Sequence, residues 1–418
     1  MKARHITAKL MDSLQDSPAV FLQGARQTGK STLVQALAAG PHPARYLTFD
    51  EASTLAVAQE DPQGFIAGLR GAVVIDEVQR VPDVALAIKQ AVDRSRDPGR
   101  FLLTGSASVL VLPKISEALA GRIEIHTLWP LSQGEIDGGV ERFVEMLFDD
   151  DFATWVSDAA SPSPDDALEP IDRVLRGGFP VILTRTRHER RRAWFDSYVT
   201  TLLQRDVRDL SSIEGLAAMP RLLSLLAART GSLLNYAEIS RSLSMSHSTL
   251  KRYTTLLEMT FLVQLLPAWS ANLGKRLVKS PKIYLADTGL LCHSMGLDCD
   301  RLAKDRSLFG HILENFTVME LRKQLGWTSR AIEMYHFRTA AGEEVDVLLV
   351  EAGGAAVGVE IKASTTIRGE DVRGLRALRD LLGRRFRRGV LLYLGTETLP
   401  LGTDLHAVPL PRIWASAE

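Results

Sequence analysis

The residues best suited to chemistry form a glycine-rich loop near the start of this 418-residue chain. An apolar run at 19–22 precedes the loop, and a helix-forming run at 32–38 follows it, which is the strand–loop–helix context of a phosphate-binding loop. In such loops backbone N–H groups bind phosphate, a lysine reaches the outer phosphates and a hydroxyl ligates Mg²⁺. The candidate nucleotide-binding residues are Gly24, Gln27, Thr28, Gly29, Lys30, Ser31 and Thr32, with Lys30 on the phosphates and Ser31 on the metal.

A second candidate catalytic group is the acidic pair Asp76 and Glu77, which directly follows the apolar run 71–75. A run that is apolar on both faces suits a buried parallel strand, and such strands present ligands at their carboxyl ends. Asp76 would hold Mg²⁺ through water, and Glu77 would orient and deprotonate the attacking water. A solvated acidic turn gives the same letters, but the upstream phosphate loop favours the catalytic interpretation. The pair predicts hydrolysis of ATP with Mg²⁺.

A further strand pattern, 100–106, ends in small hydroxyl residues. Thr104 or Ser106 could sense the γ-phosphate there, although a strand-terminal turn would contain the same letters. Strands and helices alternate throughout this part of the chain. That alternation predicts an α/β domain with a parallel sheet between helical layers over residues 1–150.

These motifs, with 119–122 and 128–132, resemble bacterial and archaeal AAA-type ATPases that carry a C-terminal domain of unknown function. The resemblance covers nearly the whole chain and implies a 5-1-4-3-2 strand order. It also implies a homo-oligomer with nucleotide near the subunit interface. Arg122 and Arg205 then become candidate interface arginines that complete a neighbour's catalytic site, with an ion pair at the sheet edge as the alternative for Arg122. Ala25 departs from the family, in which many members have proline.

The middle of the chain predicts helices rather than alternating strands. Residues 151–219 are interpreted as a linker and helical lid, and 220–300 as a winged helix-turn-helix with helices near 235–243 and 248–257. The second helix would present Ser248, Lys251 and Arg252 to DNA. A lid or oligomer contact would use the same unit, so both interpretations stay open.

One segment of the middle region is characteristic of the family, but its residue types do not indicate a particular chemistry. It reads Arg-x-x-Lys-x-Pro-Lys from Arg276 to Lys282 and is followed by Asp-Thr-Gly-Leu from Asp287. Asp287 could cap a helix as easily as it could act as a functional acid.

The last region, 301–418, predicts a helix followed by strands. Glu314, Asp346, Glu360 and Lys362 resemble the catalytic set of the PD-(D/E)xK nuclease superfamily. That resemblance implies a restriction-endonuclease-like α/β fold in which Asp346 and Glu360 ligate Mg²⁺ and Lys362 activates water. Val345 replaces the proline that names the motif, so cleavage and a pure binding platform remain alternatives.

A basic stretch in the same region is a candidate DNA contact. Arg373, Arg376 and Arg379 recur at three-residue spacing, which places them on one face of a helix. Dense arginines attract phosphate. A solvated helix face is the alternative.

Composition sets the broad limits. Fifty basic residues balance fifty acidic ones, so any contact with nucleic acid must come from a local patch. Two cysteines, Cys292 and Cys299, are too few for a disulfide scaffold. No apolar stretch reaches the roughly 20 residues that span a bilayer. A cytoplasmic protein without a membrane segment is expected.

Together these patterns predict a Mg²⁺-dependent, ATP-hydrolysing AAA-type ATPase that binds and remodels or translocates on DNA as an oligomer. Two alternatives remain. One is an ATP-gated DNA nuclease, and the other is a nucleotide-controlled regulatory switch that binds a protein partner.

Overall fold

A computed structural model describes residues 2–108, 117, 119–158, 169–204, 218–270 and 279–415. It has the predicted mixed α/β class, with a parallel N-terminal sheet, a helical middle and a mixed C-terminal sheet. Arg205 lies outside the described residues, as does Arg276 at the start of the characteristic middle segment.

The N-terminal sheet has five parallel strands in the order β2-β3-β4-β1-β5, which confirms the predicted 5-1-4-3-2 arrangement. Its strands are β1 (Ala19–Gln23), β2 (Arg45–Thr48), β3 (Val73–Asp76), β4 (Phe101–Gly105) and β5 (Ile123–Thr127). Its helices are α1 (Ile6–Asp16), α2 (Lys30–Ala39), α3 (Ala52–Glu60), α4 (Pro62–Ala67) and α5 (Val84–Arg94). Alternate residues along β1 pack into separate clusters, Phe21 with α5 and Val20 with α1 and α2. The sheet is therefore the central layer of three.

The middle region is a set of helices followed by a two-stranded antiparallel sheet. The helices are α6 (Gln133–Asp137), α7 (Phe143–Met146), α8 (Phe152–Asp158), α9 (Glu169–Arg176), α10 (Pro180–Leu183), α11 (His188–Leu202), α12 (Met219–Ala227), α13 (Tyr236–Leu243) and α14 (His247–Met259). The strands are β6 (Val263–Leu266) and β7 (Lys282–Leu285). Asn235 and Ser246 cap the two predicted helices α13 and α14, and Ser244 makes the turn between them with a φ of 51°. The elements that a helix-turn-helix requires are present.

The C-terminal region places one mixed sheet between two helices. Its helices are α15 (Thr288–Ser294), α16 (Cys299–Lys304), α17 (Arg306–Leu325) and α18 (Arg373–Leu382), where α15 and α16 lead into it. Its strands are β8 (Ile332–Arg338), β9 (Glu344–Glu351), β10 (Ala356–Lys362), β11 (Phe386–Tyr393), β12 (Leu399–Pro400) and β13 (Leu405–Pro409). The sheet order is β12-β13-β11-β10-β9-β8. One face of this sheet packs with α17 and the other with α18.

The middle and C-terminal regions share one hydrophobic cluster. One cluster of buried side chains runs from Phe143 in α7 through the middle helices to Trp414 near the C-terminus. Phe152 and Val156 of α8 belong to it, although the sequence places them in a linker. The described part of the segment 151–219 is therefore packed structure, and the boundary near residue 301 stays a prediction because the core continues across it.

The characteristic Asp287 is a structural residue in this fold. Its two carboxylate oxygens accept the N–H groups of Leu290, in the first turn of α15, and of Gly178 in a preceding turn, at 2.9 and 2.7 Å. Burial raises the pKa of Asp287, whose side chain has no open solvent around it. The Gly177–Gly178 turn packs so tightly that a Cβ on Gly177 would lie 2.4 Å from Asp287.

Asp287→Ala should therefore lower the free energy of unfolding by roughly 2–4 kcal/mol, since it removes a cap and leaves two buried N–H groups without acceptors. The measurement is urea denaturation followed by circular dichroism. Asp298→Ala is the matched control, because Asp298 caps α16 through a single exposed bond to Arg301 N and should cost about 1 kcal/mol. Equal losses in the two variants would contradict the interpretation.

Candidate nucleotide site and C-terminal carboxylate cluster

The glycine-rich loop connects β1 to α2, and its backbone requires glycine. Gly24 has a φ of 150°, and a Cβ there would meet the carbonyl oxygen of Leu128 at 2.2 Å. Gly29 immediately precedes α2 with a φ of 97°, in the left-handed region that favours glycine. Because α2 begins at Lys30, the N–H groups of its first turn have no acceptor within the helix. Ser31 is partly exposed at this turn, while Gln27 and Thr32 are exposed.

Two buried side chains hold the loop together from within. Lys30 donates to the carbonyl oxygens of Gly24 and Ala25 at 2.8 and 2.9 Å. Thr28 donates to the same Ala25 carbonyl at 2.9 Å. Lys30 therefore lies inside the loop that it is predicted to complete, and nucleotide phosphates would compete with these carbonyls for its ammonium group.

Arg4 braces the loop from outside, a contact that the sequence patterns do not predict. Its guanidinium donates to the carbonyl oxygens of Thr28 and Trp129, both at 2.7 Å, and pairs with Glu135 at 3.1 Å. It thereby joins the loop to the segment after β5. Arg4 belongs to no motif, so only the fold reveals this role.

The acidic pair at the end of β3 is held by neighbouring strands. Asp76 accepts one hydrogen bond from Tyr46 of β2 at 2.8 Å and a short one from Thr104 of β4. The Thr104 hydroxyl in turn accepts the Glu77 N–H at 3.2 Å. Burial, then the bond to Asp76, raises the pKa of Tyr46 to about 12, so the phenol keeps its proton at neutral pH. Thr104 is thus the hydroxyl that links both carboxylate residues.

Glu77 is oriented by Gln79, which like Arg4 lies outside the sequence motifs. The Gln79 amide donates a short hydrogen bond to one Glu77 oxygen and another, at 3.0 Å, to the Ser106 hydroxyl. Glu77 itself has a φ of 59°, which turns the chain sharply out of β3. A polar residue two positions after the acidic pair was the available signal, and only the turn shows that it faces Glu77.

The residues present fit a Mg²⁺–nucleotide complex. Ser31 and Asp76 supply the hard oxygen ligands that Mg²⁺ prefers, and the start of α2 supplies the phosphate-binding amides. When bound, the metal would neutralise phosphate charge and polarise the outer phosphate. Glu77, fixed by Gln79, is the group that could orient and deprotonate a water.

The structure describes one of the two candidate interface arginines. Arg122 forms a two-pronged ion pair with Asp93 of α5, with N–O distances of 2.6 and 3.1 Å, and also donates to the Ala120 carbonyl. This is the edge ion pair that the sequence left open as the alternative, and a role in a neighbour's site stays a prediction. Arg205 lies outside the described residues.

The candidate DNA-contact residues are at the surface. Ser248, Lys251 and Arg252 are exposed along α14. On α18, Arg373 and Arg376 are exposed and Arg379 is partly buried beside Asp380.

The basic stretch that follows α18 is partly used within the fold. Arg387 pairs with Asp150, and the buried Arg388 lies 4.5 Å above the ring of Phe152. These two arginines connect the sheet to Asp150 and to the first residue of α8. Both side chains therefore already have partners within the fold.

The structure brings two of the four nuclease-like residues, Glu314 and Asp346, together around Lys282, and adds Glu344; the predicted nuclease-like set includes neither Lys282 nor Glu344. The ammonium group of Lys282, on β7, lies 2.9 Å from Glu314, 2.6 Å from Glu344 and 3.3 Å from Asp346. Burial by itself lowers the pKa of Lys282, but the charges of Asp346, Glu314 and Glu344 outweigh it and raise that pKa above its usual range.

The second part of this carboxylate cluster is a pair on β10. Lys362 donates to Glu360 at 2.9 Å, which confirms that these side chains share a face of the strand. The other Glu360 oxygen is buried without a hydrogen-bond partner. Burial, then the charge of Asp346, raises the pKa of Glu360 to about 8 and that of Glu314 to about 7.

The predicted Mg²⁺ ligands of this cluster do not fit a divalent cation. One oxygen of Asp346 faces the Lys282 ammonium group, and the other accepts the Ile361 N–H at 3.0 Å. Glu360 already accepts from Lys362. Among the described residues no group of three or more histidine, cysteine, aspartate or glutamate side chains is arranged to hold a metal ion. The expectation of a metal pair at Asp346 and Glu360 is therefore not supported, because an ammonium group stands among the carboxylates.

Comparison with known proteins gives the family. An AAA domain family matches residues 16–137, a domain of unknown function (DUF8612) matches 169–301, and another (DUF4143) matches 309–413. Two uncharacterized proteins, Rv2008c of Mycobacterium tuberculosis and Mb2031c of Mycobacterium bovis, are each 35% identical over 415 residues. The alignment covers 99% of this chain and 85% of each relative. This chain belongs to the family of AAA-type ATPases with a C-terminal domain of unknown function.

Two solved structures are similar to parts of this chain. The Walker-type ATPase PABY2304 of Pyrococcus abyssi has 15% identity and a TM-score of 0.44, covering 70% of this chain and 96% of that one. The RuvB Holliday junction branch migration motor of Thermotoga maritima has 19% identity and a TM-score of 0.29, covering 63% of this chain and 89% of that one. In the part of this ATPase that the structure describes, no helix has the length and apolar character to cross a membrane.

Gln79→Ala should lower the turnover of ATP roughly tenfold, less than the roughly 100-fold or greater loss expected when a general base is removed. The reason is that Glu77 would lose the amide that orients it. Steady-state kinetics measures the effect, and binding of a non-hydrolysable ATP analogue should remain within about twofold of wild type. Gln63→Ala, an exposed glutamine on α4, is the control and should change neither quantity. Weakened analogue binding in Gln79→Ala would contradict a role confined to orienting Glu77.

Glu360→Gln should stabilise the protein increasingly between pH 5 and 8. The folded chain keeps a proton on Glu360 up to a pKa of about 8, whereas the unfolded chain loses it near 4.5. Wild-type stability contributed by the neutral acid is thus present at low pH and lost as pH rises through this window. Glutamine stays neutral throughout. Melting temperatures across pH measure the difference, with the exposed Glu370→Gln as control. A difference that does not change with pH would refute the assignment.

Proposed function

We propose that this protein is a Mg²⁺-dependent ATPase whose hydrolysis drives remodelling of, or movement along, DNA by an oligomer. The observation that carries the hydrolytic part is the hydrogen-bonded set of Asp76, Thr104 and Glu77 beside the phosphate loop. A protein that only binds nucleotide has no need of a glutamate held by Gln79. Lys30 and Ser31 would contact phosphate and metal, while Glu77 would activate the water.

The nucleotide loop also contacts the middle region, which supports coupling between hydrolysis and the helix-turn-helix. The carbonyl of Met259, the last residue of α14, accepts the N–H of Ser108, which follows β4. Tyr198 of α11 donates to the Arg26 carbonyl in the loop at 3.3 Å. A small apolar group, the loop cluster, joins the loop to all later regions and consists of Ala25, Trp129, Phe261, Ala286 and Met319. A shift of the loop on binding nucleotide would therefore reach Phe261, two residues after the end of α14, through direct packing.

The choice of DNA as the partner rests on the outer face of α14. Ser248, Lys251 and Arg252 are exposed on the second helix of a helix-turn-helix, where DNA-binding versions contact phosphates and base edges. The exposed Arg373 and Arg376 of α18 provide a second cationic surface. Because the chain has no net charge, these local patches would carry the attraction.

The nuclease alternative has weaker support. It needs a divalent cation on Asp346 and Glu360, and both carboxylates already serve protein donors. A regulatory switch bound to a protein partner would use the same ATP site, and it predicts turnover that is indifferent to DNA. Stimulation by nucleic acid is therefore the decisive difference between that switch and the proposal.

ATP turnover should rise when duplex, single-stranded or branched DNA is added, and Lys30→Ala should abolish turnover because the phosphates lose their lysine. The paired change Lys251→Ala with Arg252→Ala should raise the DNA concentration for half-maximal stimulation roughly tenfold and make the salt dependence shallower. The control pair is Arg301→Ala with Lys304→Ala, which removes two exposed cations from α16. Sizing with a non-hydrolysable analogue measures assembly in the same samples.

The outcomes separate the parts of this proposal. Turnover that depends on Lys30 but ignores every DNA form would reject DNA as the partner and favour the protein-binding switch. Turnover that survives Lys30→Ala would reject the ATPase site itself. A monomer in the presence of the analogue would reject the oligomer. Strand cleavage lost in Asp346→Ala would restore the nuclease alternative.

A further inference from the structure

Lys282 lies where two strands and a helix converge on the C-terminal carboxylates. On β7, Lys282 and Tyr284 are two residues apart and point to the same face. On β9, Glu344 and Asp346 are likewise two apart, and the helix α17 contributes Glu314. Tyr284 donates to the same Glu314 oxygen as Lys282 does, at 2.7 Å. The spacing of the strands therefore delivers one cation from the middle region to three carboxylates of the C-terminal region.

The number of N–H donors on the Lys282 ammonium group equals the number of carboxylates around it. Lysine has three N–H donors, and three carboxylate oxygens lie within 3.3 Å of its nitrogen. The Lys282 side chain is only 4% exposed, so its ammonium group is largely shielded from water. A buried ammonium group without such partners would be strongly unfavourable, and the same holds for the carboxylates without a cation.

The backbone around Lys282 is fixed on both sides. Lys282 pairs with Leu266 of β6 and forms a bridge to Leu233 on its other side. The neighbouring Pro281 carbonyl accepts the Leu234 N–H at 2.8 Å. The backbone of Lys282 is thus positioned by paired strands rather than by a loop, which directs its side chain toward the carboxylates.

We propose that Lys282 is the resident cation of this carboxylate cluster and locks the middle region to the C-terminal region in place of a divalent metal. This proposal goes beyond the proposed ATPase function and does not depend on it. It also gives a physical role to the last lysine of the characteristic Arg-x-x-Lys-x-Pro-Lys segment, which has no evident chemistry in the sequence. The carboxylates that resemble a nuclease site then bind the ammonium group of the protein's own Lys282.

The test is Mn²⁺ binding to the full-length protein without nucleotide, followed by electron paramagnetic resonance. Wild type and Asp346→Asn should bind Mn²⁺ equally, since Asp346 is occupied by Lys282. Lys282→Met keeps the length of the side chain but removes its charge, and it should gain one Mn²⁺ site. That site should disappear in Lys282→Met combined with Asp346→Asn.

Lys323→Met is the matched control, because Lys323 is a buried lysine that pairs with a single carboxylate, Glu320, at 2.6 Å. It should gain no Mn²⁺ site. A wild-type Mn²⁺ site that is lost in Asp346→Asn would overturn the proposal, as would a folded Lys282→Met that binds no additional Mn²⁺. If Lys282→Met does not fold, the comparison of wild type with Asp346→Asn still decides the outcome, since the proposal requires these two proteins to bind Mn²⁺ equally.

Discussion

The structure depends on the buried polar side chains of one helix, α17. A polar group inside a protein is costly unless it is hydrogen-bonded, so each of these side chains must meet a partner from another element. Glu320 accepts the N–H of Gln133 from α6, and Gln324 bonds both Val144 N and the Ile413 carbonyl. Asn315 bonds both backbone groups of Leu285 on β7. These contacts fix the middle and C-terminal regions in one arrangement, because any slip of α17 would leave several buried groups unpaired at once.

The nucleotide site depends on the same arrangement. Lys323 of α17 donates to the Leu131 carbonyl, and Met319 one turn earlier belongs to the loop cluster beneath Ala25. The phosphate loop is thus supported by residues almost 300 positions away as well as by its own glycines. The loop therefore shares close packing with the segment after α14 and with α17.

Features that depend on short residue patterns could be predicted from the sequence. The strand–loop–helix signature located Lys30 and Ser31, and the apolar strand before Asp76 located the acidic pair. The resemblance to a known family supplied the strand order, which the sheet confirms. Residues that act across the fold were missed. Arg4 contacts the site from the N-terminal segment, and nothing in its local sequence marks that contact. Gln79 contacts Glu77 through the turn after β3, and its polar side chain two positions after the acidic pair was the local signal.

The sequence by itself determined the α/β class, the phosphate loop and the acidic pair, because these depend on residue types at short, fixed spacing. Only the tertiary structure decided which groups surround the C-terminal carboxylates. The spacing of Glu360 and Lys362 puts them on one strand face, but Lys282 reaches Asp346 from 64 residues earlier in the chain. Charge compensation depends on distance in space and on the exclusion of water, and short sequence patterns contain neither.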